Sequence, residues 1–501
     1  MCRATIASVC CAESDSFSRF QEGDPERNGL VNDVPHRLSL SFEEPSEDIV
    51  LVSAGSMVLQ TTAVQVTRLA HELQVQEVSG HQLTDLCPGL RLKQATATRL
   101  DAKDKVLHLS DGSSVRYGRL CICTGGRPRL PLPDHPAVIG IRDGHSVDEL
   151  VRRLGPARRV LIVGNGGIAS ELVFTLKDVD VTWVIRDGSI SATFVDPGAA
   201  EFLLPRLESR DQQPAAADAT VAVPAPPSKR WRYHASDPPS SEGGQGDPSV
   251  PGSALGPDWL QRLQARGAGK GRVTVKYKTE LRRLVDRPND PNDSEQWPVY
   301  AELTSGETIG CDFIVSATGV LPNTEPFTEG TSLRLAADGG ILVDDHMRTH
   351  ETDVYAAGDA CSPDWELAPH WFQMRLWSQA RQMGLYAAKC MSADRLGVPL
   401  LQDFCFEMFA HVTRLLGHKL ILLGLFNGQR LGTDYTALIR MTPGVEFIKV
   451  VLRDGKVQGA LLLGDTDLEE TFENLILSQM DVSHLGDDLL SPDVDIEDYF
   501  D

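Results

Sequence analysis

Apolar residues gather in short unbroken runs that lead towards glycine, the pattern of strands buried on both faces rather than of half-exposed ones. Ile49 to Ser53, Leu120 to Cys123, Val160 to Val163 and Phe313 to Ser316 are runs of this kind. The spacing turns helical over Ala63 to Leu73 and over Ile168 to Leu176, then returns to a strand run at Val181 to Ile185. Strand, glycine turn, helix and strand in succession make Val160 to Ile185 a βαβ unit, and Ile49 to Leu73 reads as a βα unit. Asp101 to Tyr117 alternates as an antiparallel hairpin does, turning at Asp111-Gly112. Further on, the pattern predicts strands at Val273 to Tyr277 and Val299 to Leu303 and a helix from about Pro369 to Cys390. Strands at Leu420 to Leu425, Phe447 to Leu452 and Val457 to Leu463 read as a separate α+β unit.

The pattern lapses in three places. Residues 1–47 are polar and glutamate-rich, and read as loop or disorder, with order beginning near Asp48; Leu38 to Phe42 is their one strand candidate. Residues 205–256 are rich in Pro, Ala, Ser and Gly and read as a long insertion without chemistry. The end, from Gly486 to Asp501, is strongly acidic.

Composition narrows the picture. A chain of 501 residues accommodates about three domains of roughly 150 residues each. With 70 Asp and Glu against 48 Lys and Arg, it lacks the basic face that direct nucleic-acid binding needs. The 10 cysteines are scattered, without CxxC pairs, which argues against a disulfide framework or a cysteine metal site. The longest apolar run, Leu420 to Phe426, is broken by Gly424 and falls well short of the ~20 residues of a membrane-spanning helix. Ala4 to Ala12 only faintly resembles a signal-peptide core, so secretion is not expected.

Gly164-Asn165-Gly166-Gly167-Ile168-Ala169 stands where a dinucleotide fingerprint must stand, after an apolar strand and before a helix. Gly164 allows the tight turn, Gly166 lets backbone approach a pyrophosphate, and Ala169 is small enough for the helix to pack on the sheet. At the end of the next strand Arg186 and Asp187 take the place where an acid grips the ribose of NAD. An arginine there suits the 2′-phosphate of NADP, although a surface charge has the same sequence signature. Ala356-Ala357-Gly358-Asp359 precedes the predicted helix at Pro369. Its carboxylate is placed to accept a hydrogen bond from a polyol, with the helix end directed at a flavin pyrimidine; a turn-capping aspartate is the plainer alternative.

Taken in order, four segments resemble the pyridine nucleotide-disulfide oxidoreductases: Thr124-Gly125-x-Arg127-Pro128, the fingerprint at Gly164, Ala317-Thr318-Gly319, and Val343-Asp344 through to Gly358-Asp359. The resemblance implies an α/β fold of two nested Rossmann-like domains, the NAD(P) domain inserted in the FAD domain, plus a small C-terminal α+β domain. It places FAD-domain parts at 48–150 and 311–396, the NAD(P) domain at 151–310 and the last domain at 397–501. It implies FAD and NADPH or NADH as cofactors, with Thr124, Gly125, Gly319, Gly358 and Asp359 on the flavin side. On the nicotinamide side it adds Glu171, a match to a family glutamate near nicotinamide and flavin, to Gly164, Gly166, Gly167, Ala169 and Arg186. Segments such as Gln373 to Trp377 and Asp467 to Asn474 resemble one branch of the family, for which the resemblance implies a cytoplasmic and nuclear role protecting a tRNA-splicing ligase complex from oxidation.

Two departures shape the expected chemistry. The paired redox cysteines of the disulfide members are absent, and Cys121-x-Cys123 reads as strand packing, so hydride is expected to pass directly through flavin with no thiol relay. No glycine fingerprint precedes Asp48, where the flavin pyrophosphate turn belongs. The expected activity is therefore an FAD-dependent NAD(P)H oxidoreductase with no assignable catalytic residue, no metal and no membrane association. The alternative is a non-enzymatic nicotinamide-binding adaptor that has lost flavin.

Overall fold

The computed structural model describes residues 4–7, 49–55, 57–86, 90–133, 135–208, 228–235, 271–286, 296–464 and 466–492. Three sheets organise them. The first has seven strands in the order Leu90–Gln94, Ile49–Ser53, Ala4–Ala7, Ser114–Ile122, Val106–Leu109, Ala97–Asp101, with Val354–Ala356 also on Ser114–Ile122. Its middle is parallel: Ala4–Ala7 lies between Ile49–Ser53 and the far half of Ser114–Ile122, and Val354–Ala356 runs beside Leu120 to Ile122. The long helix Trp377–Leu396 covers it, with Met383, Tyr386, Ala387 and Cys390 packed on Leu120, Ile122 and Tyr355.

The second sheet is wholly parallel, in the order Val138–Gly140, Phe313–Ser316, Arg159–Val163, Asp180–Val184, Val273–Lys276. Val160, Leu161 and Ile162 are completely buried, as the unbroken apolar run requires of a central strand. The third sheet has eight strands and includes the C-terminal run from Ala410 to Gly464. One of its faces carries helix Glu469–Ser478 through Phe472, Leu475 and Ile476. The other shares a single core with the second sheet, in which Phe194, Phe202 and Leu203 meet Phe409, Phe426 and Phe447. The nucleotide-type domain and the C-terminal domain are thus fused by apolar packing.

Several sequence expectations are corrected. Ala63 to Leu73 is not a helix: Met57–Gln65 and His71–Ser79 form an antiparallel hairpin that joins the third sheet beside Ala410–Leu415. The stretch is rich in β-branched residues, and its turn is held from outside, where the buried Glu473 carboxylate accepts from the Leu69 backbone at 3.1 Å. The helix expected from Pro369 starts only at Trp377. Gln379 bonds the Phe372 carbonyl at 2.8 Å and the Met374 N–H at 2.6 Å, which fixes the preceding segment as extended chain. The start is not wholly irregular either, since Ala4–Ala7 fills the centre of the first sheet; four positions are too few to show a period. Leu38 to Phe42 lies outside the described residues. The inserted domain begins earlier than 151, because Val138–Gly140 is an edge strand of its sheet. Within the 205–256 insertion, Lys229–His234 pairs along Thr436–Thr442; residues 209–227 and 236–256 lie outside the described residues, as do 493–501 of the acidic end.

Candidate dinucleotide and flavin sites

The fingerprint loop follows Arg159–Val163 and opens helix Gly167–Thr175. Gly164 has φ +127°, and a Cβ there would lie 2.2 Å from the Ala317 carbonyl oxygen. Beyond the tight turn, Gly164 meets a second need: the loop leans on the Ala317-Thr318 turn of the neighbouring strand. Gly166 caps the helix without a side-chain bond, so the first-turn N–H groups carry the positive end of the helix with no local acceptor. Ala169 is completely buried against the sheet, as its small size requires.

Gly164, Asn165, Gly166 and Ile168 line a cleft of about 400 Å³, whereas Gly167 and Ala169 lie behind it. Its other walls are Pro128 and Arg129, Ser316 to Val320, and Arg186 to Asp187 at the end of Asp180–Val184. Asn165 ties the loop together: its amide donates to Asp187 at 2.7 Å and to the Ser189 carbonyl at 2.9 Å, while its oxygen accepts from the Ser191 N–H at 2.6 Å. Arg129 and Arg186 are exposed and have no ion partner among the described residues. A polyanion fits this lining: helix N–H groups at one point, two uncommitted guanidinium groups at others. Asn165 and Arg129 were not singled out in the sequence; Asn165 could have been, from its place inside the glycine run.

Glu171 does not line this cleft. Its carboxylate is buried and accepts from the Leu416 N–H at 3.0 Å, in the turn between strands Ala410–Leu415 and His418–Gly424 of the C-terminal domain. Burial pushes its pKa up to about 7, against the pull of that hydrogen bond. The expected place beside nicotinamide and flavin is therefore corrected: the fused apolar core covers this face of the helix, and Glu171 serves as an interdomain strut.

Thr124, Gly125 and Gly319 act as a clasp. The Thr124 hydroxyl donates to the Asn323 carbonyl at 2.6 Å, the Asn323 amide donates back to the Thr124 carbonyl at 3.0 Å, and the Asn323 N–H meets the Gly125 carbonyl at 2.9 Å. Gly126–Pro128 and Val320–Pro322 pair antiparallel just beyond, so both crossings between the first and second sheets run side by side. Gly125 at φ +63° and Gly319 at φ +98° make the turns.

Gly358 and Asp359 sit in a short 3-10 turn against the start of the long helix, and a Cβ on Gly358 would come within 3.3 Å of Ala380. Desolvation pushes the Asp359 carboxyl up to about 6, with the Arg375 guanidinium drawing it back down. Arg375 spends its own donors elsewhere, on the Asp359 carbonyl at 3.1 Å and on Asp338 at 2.8 Å. The Asp359 carboxylate has no hydrogen-bond partner among the described residues. The long helix is likewise uncapped at Leu376. An acceptor and a set of backbone donors lie side by side without ligands of their own, which fits a group carrying hydroxyls and a polar heterocycle edge.

Cys121 and Cys123 do approach, Sγ to Sγ 3.4 Å, but a disulfide spans about 2.05 Å. The hydrogen bond with Cys121, then burial, hold the Cys123 thiol well above its ordinary pKa. Both sulfurs belong to the first core or its border. Among the described residues no cluster of His, Cys, Asp and Glu could hold a metal, and no helix is long and apolar enough to cross a membrane.

Comparison with known proteins accords with this geometry. The pyridine nucleotide-disulphide oxidoreductase family pattern matches residues 39–211 and 249–384. The chain is 46% identical over 473 residues to pyridine nucleotide-disulfide oxidoreductase domain-containing protein 1 of Danio rerio, covering 92% of this chain and 94% of that one. It is 43% identical over 486 residues to the protein of that name from Mus musculus, covering 93% and 95%. Among solved structures, the water-forming NADH oxidase from Lactobacillus brevis bound to NADH superposes with a TM-score of 0.57 at 14% identity, over 88% of each chain. The fold is thus that of two Rossmann-like domains with a further domain, and the chain belongs to the pyridine nucleotide-disulfide oxidoreductase family.

Proposed function

We propose that the chain is an FAD-dependent NAD(P)H oxidoreductase that works without a thiol relay. Both cofactors are those of its family. The N–H groups of Gly166 and Gly167 bind the dinucleotide pyrophosphate, and Arg186 faces the adenosine end, which favours NADPH over NADH. Asp359 accepts a hydroxyl of the flavin side chain, and the uncapped end of helix Trp377–Leu396 faces the flavin pyrimidine. Bound there, flavin supplies the two-electron chemistry, taking hydride from nicotinamide and passing electrons onward. The Thr124–Asn323 clasp keeps the two sites in register.

The observation that carries this reading is the wall formed by Ala317 to Val320. It closes the dinucleotide cleft and is at the same time the strap back to the sheet that bears Asp359. Equilibrium binding of FAD and of NADPH to the full chain and to its Asp359→Ala variant tests it: FAD affinity falls while NADPH affinity stays. Equal loss of both ligands, or of neither, contradicts the assignment.

One observation favours a second reading. Ala4–Ala7 occupies the central position from which a flavin pyrophosphate turn springs, yet Ser8-Val9-Cys10-Cys11 follows it and the next glycine is Gly23. A chain that binds NADPH but takes up no FAD is the adaptor anticipated above. The finer expectations, protection of a tRNA-splicing ligase complex in cytoplasm and nucleus, stand as proposals on family likeness alone, and the acidic balance favours a link to RNA through protein.

A further inference from the structure

Four loops at the carboxyl ends of the second sheet line the dinucleotide cleft in the order of their strands. Ala317 to Val320 follows Phe313–Ser316, Gly164 to Gly166 follows Arg159–Val163, Arg186 and Asp187 follow Asp180–Val184, and Thr279 to Leu281 follows Val273–Lys276. With a pyrophosphate at the second loop and the adenosine ribose at the third, the base reaches the fourth. Glu280 stands in that fourth loop, on the wall beyond Arg186.

Both backbone groups of Glu280 are already committed. Its N–H donates to the Thr304 hydroxyl at 2.9 Å, and its carbonyl accepts from the Thr304 N–H at 2.9 Å. Thr279, only 3% exposed, donates its N–H to the Ile185 carbonyl at 3.0 Å and accepts from the Ser305 N–H at 3.1 Å through its hydroxyl. The loop is thus pinned on one side to the residue before Arg186 and on the other to the turn at Thr304-Ser305. Arg282 and Arg283, the cations that follow in the chain, are taken by Glu302 at 3.1 Å and 2.8 Å. The group that Glu280 has left to offer is its carboxylate, which is exposed and has no hydrogen-bond or ion partner among the described residues.

A carboxylate accepts hydrogen bonds and donates none, and it repels phosphate. The ribose hydroxyls are donors, but they belong beside Arg186 and Asp187, one strand nearer the fingerprint. On adenine the exocyclic amine is the donor of the base edge, while the ring nitrogens accept. We propose that Glu280 selects the adenine base of the dinucleotide, its carboxylate accepting from the exocyclic amine, with Thr279 and Thr304 as positioning residues that hold the loop. This rests on the dinucleotide reading above and adds the recognition of the base to it.

The test is fluorescence titration of the full chain, Glu280→Ala and Glu280→Gln with two ligands: NADPH, and its analogue with purine in place of adenine, which carries hydrogen where adenine carries the amine. We expect the parent to bind NADPH about tenfold more tightly than the analogue, as befits a hydrogen bond to a charged group in an open cleft. Glu280→Ala weakens NADPH about tenfold, leaves the analogue unchanged and so abolishes the preference. Glu280→Gln, which keeps an uncharged acceptor, retains a smaller preference. A parent without preference, equal losses of both ligands in Glu280→Ala, or a preference that survives that substitution overturns this proposal and leaves the dinucleotide reading intact. A chain that binds neither ligand overturns both.

Discussion

Asn165 donates its side-chain amide to the Asp187 carboxylate at 2.7 Å, and that contact decides which charge faces the dinucleotide cleft. Asp187 is held on the glycine loop, while Arg186 beside it is exposed with no ion partner among the described residues. Arg186→Ala is expected to weaken NADPH binding by roughly 10- to 100-fold, the worth of a hydrogen bond to a charged group, and to leave NADH binding nearly unchanged. Fluorescence titration with each reduced dinucleotide measures both; equal losses contradict the assignment of Arg186 to the 2′-phosphate.

Gly164→Ala forces a side chain into the left-handed half of φ space and onto the Ala317 carbonyl, 2.2 Å away. Backbone strain of this kind costs on the order of 1–3 kcal/mol before the overlap is relieved. The melting temperature should fall and NADPH affinity with it. Gly112→Ala, also at positive φ but with open space around it, should cost only the strain and spare binding.

Glu171 gives the fold a pH signature. Its carboxyl is raised in the folded protein to about 7, against an unperturbed value of about 4.3, so the folded state holds a proton that the unfolded state has released. The contribution is favourable at low pH and declines as pH rises from about 4.3 to 7, flattening above; the full span is on the order of 3 kcal/mol. Glu171→Gln keeps an acceptor for the Leu416 N–H and removes the charge. Denaturant unfolding should show the variant more stable than the parent at pH 8 and nearly equal at pH 4; an equal difference at both pH values contradicts the role of ionisation.

Lys449, buried in the core between the second and third sheets, pairs with Asp196 and donates to Asn427 at 2.6 Å. Lys449→Met strands the Asp196 carboxylate and should destabilise by about 3–5 kcal/mol, whereas adding Asp196→Asn should recover much of the loss. Unfolding free energies of the two variants check this, and a double variant no better than the single one contradicts it.

Much of the dinucleotide site was legible because it is local. Val160 to Val163, the glycines after it and the helix beyond are contiguous, and each residue type answers to one backbone need. What escaped is non-local. The hairpin Met57 to Ser79 mimics helical spacing over Ala63 to Leu73, and its turn leans on Glu473, some four hundred positions later. Glu171 sits on the fingerprint helix as expected, but the face it occupies was settled by the C-terminal domain, whose docking no local pattern announces. Ala4–Ala7 was missed for its brevity, and Lys229–His234 because a composition typical of linkers surrounds it.

The proposed activity requires electrons to leave a dinucleotide at Gly164 to Ala169 for a flavin held by Asp359. Anaerobic mixing of FAD-loaded protein with NADPH, followed in the visible spectrum, tests that most directly. Bleaching of the flavin band at a rate that saturates with NADPH is the predicted result. A flavin that stays yellow under saturating NADPH, or a protein from which FAD washes away entirely, would contradict it.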